Sequence, residues 1–67
     1  MIKCKILHVR ECSKGYSIYA EDETGGRLMF NFNPAFGIPI QGDTIGYTCK
    51  HGCVVPLTLN DRVLQQP

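Results

Sequence analysis

The sequence has no tryptophan, no long apolar run and almost no net charge. A membrane-spanning helix needs about 18 consecutive apolar residues, and no such stretch is present. Seven basic and six acidic residues give a formal net charge of +1, so total charge does not point to nucleic acid or an acidic membrane. With 67 residues, the chain has room for one domain, which excludes a cofactor domain joined to a substrate domain.

The amino terminus also lacks the apolar run and small-residue cleavage site of a secretory signal. A cytoplasmic location is therefore expected, where the four cysteines stay mostly as thiols. In a secreted chain the same cysteines would indicate two disulfides.

What the sequence does contain is a series of short segments rich in β-branched and aromatic residues, separated by turn signals. They predict five strands, at about residues 2–11, 16–21, 27–33, 44–49 and 53–60. A connector with two prolines and a glycine, residues 34–40, separates the third strand from the fourth. Residues 61–67 are expected to be a frayed tail.

The first segment changes its apolar face midway. Ile2, Cys4 and Ile6 share one parity, whereas Leu7 and Val9 share the other. Because side chains alternate along a strand, a bulge or bend near Ile6 and Leu7 is predicted.

The fourth and fifth segments predict a hairpin with a three-residue loop, Lys50–Gly52. That loop length would put the apolar residues of both strands on one face: Ile45, Tyr47, Cys49, Cys53, Val55 and Leu57.

Together these features predict a single all-β domain over residues 1–67. The expected architecture is a small five-stranded barrel of the oligonucleotide/oligosaccharide-binding (OB) type, whose bent first strand pairs with two neighbours. An SH3-like barrel is the alternative, because it has five strands in about the same length.

Two motifs resemble those of cold-shock domains, a family with the OB fold. Residues 14–18, Lys-Gly-Tyr-Ser-Ile, are similar to the family's Lys-Gly-Phe-Gly-Phe, and residues 28–32, Leu-Met-Phe-Asn-Phe, to its Val-Phe-Val-His-Phe. The stretch Gly-Asp-Thr-Ile at residues 42–45 resembles the family's entry to strand four. The similarity spans roughly residues 5 to 60 and is partial within each motif.

The resemblance implies that the second and third strands bind single-stranded RNA or DNA. The residues it assigns to the stacking surface and its basic rim are Arg10, Lys14, Tyr16, Ile18, Met29, Asn31 and Phe32. The chain departs from the family at Ile18 and Met29, which replace rings, at Asn31, which replaces histidine, and near Val9, where the family has tryptophan. Stacking of a base on a ring contributes about 1–3 kcal/mol, and this contribution is missing wherever the family's ring is replaced, so only modest affinity is expected.

Alternation alone leaves the orientation of these residues open. Leu28, Phe30 and Phe32 share a parity, so Phe32 also fits a core position. In the second strand alternation does not decide which pair faces outward, Tyr16 with Ile18 or Ser17 with Tyr19.

The amino-terminal part of the chain is more basic than the rest. Residues 1–20 contain four basic side chains and one acidic side chain. A basic stripe beside the stacking surface would attract phosphate. An ordinary solvated strand face explains the same pattern.

Other chemistry has little support. Cys49 and Cys53 could bind zinc with His51, His8, Cys4 or Cys12, but small core residues that face each other explain the pair better. No catalytic residue, metal ligand or cofactor is predicted, and the chain is not expected to be an enzyme. The alternative function is a protein-interaction module, an accessory or inhibitor that can self-associate through the same surface.

Overall fold

The computed structural model describes residues 1–64 and has six β-strands and one short 3-10 turn, Pro34–Phe36. The strands are β1 (Ile2–Cys12), β2 (Gly15–Asp22), β3 (Arg27–Phe32), β4 (Thr44–Lys50), β5 (Cys53–Leu59) and β6 (Arg62–Val63). The all-β class is therefore confirmed, with one strand more than expected. The described residues include no helix with the length and apolar character needed to cross a membrane.

The strands form one antiparallel sheet in the order β3-β2-β1-β4-β5-β6. As predicted, the long first strand pairs with two neighbours, β2 and β4. The sheet is not closed into a barrel, since β3 and β6 are its edges within residues 1–64. At the other end of the sheet β6 folds back on β5 and pairs with Thr58 and Leu59.

The predicted irregularity in β1 is confirmed. The register with β2 shifts between Ile6 and His8, so Leu7 is the extra residue of a bulge. The turn before β4 holds this point, because the Ile6 amide donates to the Asp43 carbonyl at 2.8 Å and the Gly42 amide donates to the Ile6 carbonyl at 2.9 Å. The bulge keeps Ile6 inside and leaves His8 exposed.

The β4–β5 hairpin differs from the prediction. Lys50 pairs with Cys53, so the loop has two residues rather than three. His51 and Gly52 both have positive φ, 53° and 78°, as a type I′ turn requires. A two-residue loop matches the right-handed twist of the strands, which explains why it replaces the longer one.

This shorter loop changes which residues of β5 face the core. Cys49 pairs with Val54 and Tyr47 with Pro56, and a second register shift follows between Gly46 and Tyr47. Val54 and Pro56 lie opposite Cys49 and Tyr47, so Cys53 and Val55 point to the other face of the hairpin. The expectation that all these apolar residues of β4 and β5 share one face is therefore wrong.

The carboxy-terminal segment is ordered further than predicted. Asn60 and Asp61, with φ of 51° and 67°, form a two-residue turn into β6. The Leu64 amide then donates to the Leu57 carbonyl at 2.9 Å, and the Leu64 side chain is buried. The expected fraying is thus wrong for residues 61–64, and residues 65–67 lie outside the described residues.

The hydrophobic core covers the inner face of the sheet. Two ring contacts organise it: Phe30 stacks with Tyr47 at 6.5 Å between centroids, and Phe32 meets the edge of Phe36 at 5.6 Å. The buried residues of this core are Cys4, Ile6, Ile18, Ala20, Phe30, Phe32, Ile45, Tyr47, Leu59 and Leu64.

Candidate nucleic-acid interface

The strand register determines which side chains of β1–β3 point away from the core. Residues directly opposite each other in an antiparallel pair lie on the same face. Ile18 pairs with Phe30, and both are buried. The next pair, Tyr19 with Met29, therefore points outward, and His8 joins it because it pairs with Tyr19.

These three residues form a row across the outer face, which we call the central row (His8, Tyr19 and Met29). The rings of His8 and Tyr19 are tilted by 39°, with centroids 5.9 Å apart. Met29 is 63% exposed. An open depression of about 390 Å³ adjoins the row, and its lining includes Leu7 and Arg27 as well as the row itself.

Polar rows lie on either side of the central row. On one side Lys5 pairs with Glu21, which pairs with Arg27, whose Nε lies 3.9 Å from the Glu21 carboxylate. On the other side Arg10 pairs with Ser17, which pairs with Asn31. Three of these six side chains are basic and one is acidic, so the outer face has a local positive balance that the net charge of the chain conceals.

The hairpin loop between β2 and β3 secures this register. The Asp22 carboxylate accepts hydrogen bonds from the Thr24 hydroxyl at 2.8 Å, the Thr24 amide at 2.9 Å and the Gly26 amide at 2.8 Å. These bonds favour the charged form, so the pKa of Asp22 lies below its usual value. Because a one-residue slip would reverse both faces of a strand, this loop helps to keep Tyr19 outside.

Four of the predicted site residues are exposed. Arg10, Met29 and Asn31 lie on the outer face, and Lys14 lies in the turn between β1 and β2. The register thus brings Arg10 and Asn31 into one row and places Met29 in the neighbouring one.

The other three are not available as predicted. Ile18 and Phe32 are core residues, 0% and 1% exposed, so their assignment to a stacking surface is corrected. Tyr16 pairs with Phe32 and is half-buried against the core. The physical reason is that the alternating apolar residues of β3 point to the core. The residues of β2 that pair with Phe30 and Phe32, namely Ile18 and Tyr16, therefore point inward as well.

Sequence reasoning did not assign six of the nine outer-face residues to the site: Lys5, His8, Ser17, Tyr19, Glu21 and Arg27. The available signal was the alternation of Leu28, Phe30 and Phe32, since a core role for these three leaves Met29 outside. Pairing across the β2–β3 loop then places Tyr19 opposite Met29 on the outer face. The predicted bulge at Leu7 explains why His8 of β1 lies on the same face.

The cysteines do not form a metal site. Cys49 opposes Val54 whereas Cys53 opposes Lys50, so the two side chains lie on opposite faces of the hairpin, and both are exposed. The expectation that they face each other in the core is wrong. Among residues 1–64 no three His, Cys, Asp or Glu side chains are grouped to hold a metal ion.

Cys4 is the buried cysteine. Its thiol donates weakly to the Ile45 carbonyl at 3.5 Å, and burial raises its pKa to about 11. The raised pKa keeps the thiol protonated at neutral pH, and the 3% exposed side chain packs as part of the core.

Comparison with known proteins gives no family assignment: the chain matches no protein-family model, no curated protein and no solved structure.

Proposed function

We propose that the outer face of β1–β3 binds single-stranded nucleic acid. The observation that carries this proposal is the central row, which presents two rings and a thioether side by side on the solvent-facing side of the sheet. Bases stack on such surfaces with little sequence preference, because every base has a π-face.

The strand order supports an OB-type architecture that is open at β3. A three-strand meander leads through a connector to a fourth strand that returns to pair with β1. The cold-shock resemblance agrees with exposed Met29 and Asn31 on β3. On β2, however, the proposed stacking residue is Tyr19 instead of Tyr16.

Each outer-face side chain has a defined role in this proposal. Tyr19 and His8 stack on bases, and Met29 supplies apolar contact. The Asn31 amide hydrogen-bonds a base edge. Lys5, Arg10, Arg27 and Lys14 attract phosphates, and if about three phosphates are neutralised, log K falls against log salt with a slope of about −2.

Fluorescence anisotropy with a labelled oligonucleotide of about a dozen nucleotides tests the proposal. Tyr19→Ala removes a stacking ring worth about 1–3 kcal/mol, so binding weakens by about 5-fold to 150-fold. Tyr19→Phe keeps the ring and binds like the parent. Arg10→Ala reduces the salt slope by about 0.7, whereas Lys50→Ala, in the distant β4–β5 hairpin, leaves it unchanged.

Folding of each variant is checked by circular dichroism before titration. Absence of binding by the parent chain at low salt and high micromolar protein would overturn the proposal. Equal affinities for Tyr19→Ala and the parent would also overturn it, because the central row would then contribute nothing.

A further inference from the structure

β3 is an edge strand without the usual protection against pairing. It has six residues in continuous register with β2, and it contains no proline, lysine or bulge. The opposite edge, β6, has only two residues and follows Asp61 directly. Short length and charge are common ways to blunt an edge, and β6 has both, whereas β3 has six residues and a single charge, Arg27, at its first position.

The backbone groups that β3 leaves open can be identified from the β2 ladder. The Asp22 amide donates to the Gly26 carbonyl at 2.8 Å, which starts the alternation of hydrogen-bonded pairs. In the register of β2 with β3, the next such pairs involve Leu28, Phe30 and Phe32 of β3. The amides and carbonyls of the alternate residues, Arg27, Met29 and Asn31, therefore point to the free edge.

We propose that this edge pairs with β3 of a second copy of the chain, antiparallel and around a two-fold axis at Met29. In this arrangement Met29 faces Met29 of the second copy, and Arg27 faces its Asn31. The three outward-pointing residues of each copy then exchange about six backbone hydrogen bonds. Such a contact is isologous, which means that both copies use the same surface, the free edge of β3.

Side-chain chemistry favours this register and this occupant. No like charges meet, because the only charged residue of β3 is Arg27 and the amide oxygen of Asn31 opposite can accept from its guanidinium. On the inner face Leu28 meets Phe30 of the second copy. A one-residue slip would put apolar residues opposite outward-facing polar ones, so the alternation of β3 excludes it.

The contact is small, as expected for strand-edge pairing alone. Interfaces below about 1,200 Å² belong to weak complexes, so a dissociation constant between about 10 μM and 1 mM is expected. The outer faces of the two copies would form one continuous surface. The proposal does not depend on nucleic-acid binding, and its test contains none.

Sedimentation equilibrium from about 10 μM to 1 mM protein, under reducing conditions, measures the association. Met29→Lys places two like charges on the two-fold axis and weakens the dimer by about fivefold or more. Met29→Glu does the same. An equimolar mixture of the two variants pairs lysine with glutamate and regains association, which only a register centred on Met29 explains.

Ser17 provides the matched control, since it lies on the same outer face but within the interior strand β2. Ser17→Lys and Ser17→Glu leave the association unchanged, alone and mixed. In amide exchange of the parent chain, Met29 becomes protected as concentration rises, whereas Phe30 is protected throughout.

A parent chain that stays monomeric at 1 mM would overturn the proposal. So would a dimer that tolerates Met29→Lys, or one that the mixture fails to restore. If monomeric protein instead binds a foreign extended peptide along β3, the edge is a docking strand for another partner and the two-fold pairing is wrong.

Discussion

Phe32 separates two interpretations of the motif in β3, and a single substitution distinguishes them. As a stacking residue it would contribute to binding and little to stability. In the structure it is 1% exposed and its ring meets the edge of Phe36. We therefore expect Phe32→Leu to lower the free energy of unfolding and to leave oligonucleotide affinity within about twofold of the parent value.

The expected loss of stability follows from the burial of the ring. Truncating a buried phenylalanine to alanine costs about 3–5 kcal/mol, and the step to leucine costs about 1–2 kcal/mol. A domain of this length has a total stability of about 3–10 kcal/mol, so Phe32→Ala risks complete unfolding whereas Phe32→Leu keeps a folded population.

Urea unfolding followed by circular dichroism measures the effect. With a slope of about 1 kcal/mol per molar urea, the midpoint falls by about 1–2 M. A double-mutant cycle with Phe36→Leu should give a coupling of about 0.5–1.5 kcal/mol for the edge-to-face pair. An unchanged midpoint together with a clear loss of oligonucleotide binding would refute the buried placement of Phe32.

Two further predictions concern titratable groups. Asp22 has a lowered pKa in the folded chain, so its ionisation stabilises the fold above the usual pKa of 3.8, and this contribution is lost as pH falls through the lower folded value. In acid unfolding, Asp22→Asn should therefore make the free energy of unfolding depend less on pH below 3.8. An unaltered pH dependence would contradict the role of the carboxylate. Folding raises the pKa of the Cys4 thiol from 9.0 to about 11, so this thiol loses its proton in the unfolded chain first, and the free energy of unfolding falls as pH rises from 9 to 11. At about pH 8, alkylation followed by peptide mass spectrometry should modify the other three cysteines before Cys4. Equal rates of alkylation for all four cysteines would contradict the burial of Cys4.

The sequence was sufficient for the architecture wherever local alternation and turn chemistry agreed. The bulge in β1 was predictable because Ile6 and Leu7 cannot both follow one alternating pattern. The bend of the first strand favoured an OB-type barrel, in which that strand pairs with two neighbours; this pairing is present, although the sheet is not closed. In both cases the determining residues are adjacent in the chain.

The prediction failed where one residue of loop length decided the outcome. Lys50–Gly52 fits a three-residue loop, yet positive φ at both His51 and Gly52 gives a two-residue turn. That difference moved Cys49 and Cys53 to opposite faces. Loop length depends on the twist of the paired strands, which composition alone does not reveal.

The candidate site failed in part for a related reason. A motif assigns residues by position, whereas burial assigns them by face. For Phe32 the two criteria conflict, and the apolar alternation of β3 decides in favour of burial. For β2 neither criterion was decisive until the register paired Ile18 with Phe30 and exposed Tyr19.

Met29 belongs to both proposals, and geometry allows both roles at once. Its side chain points out of the sheet as part of the central row, whereas its amide and carbonyl lie in the plane of the sheet and point to the free edge of β3. Dimerisation would therefore leave the stacking surface open and place two such surfaces side by side. If both proposals hold, an oligonucleotide that is long enough to cross the two-fold axis should bind more tightly than one that spans a single copy, because the second contact is then intramolecular.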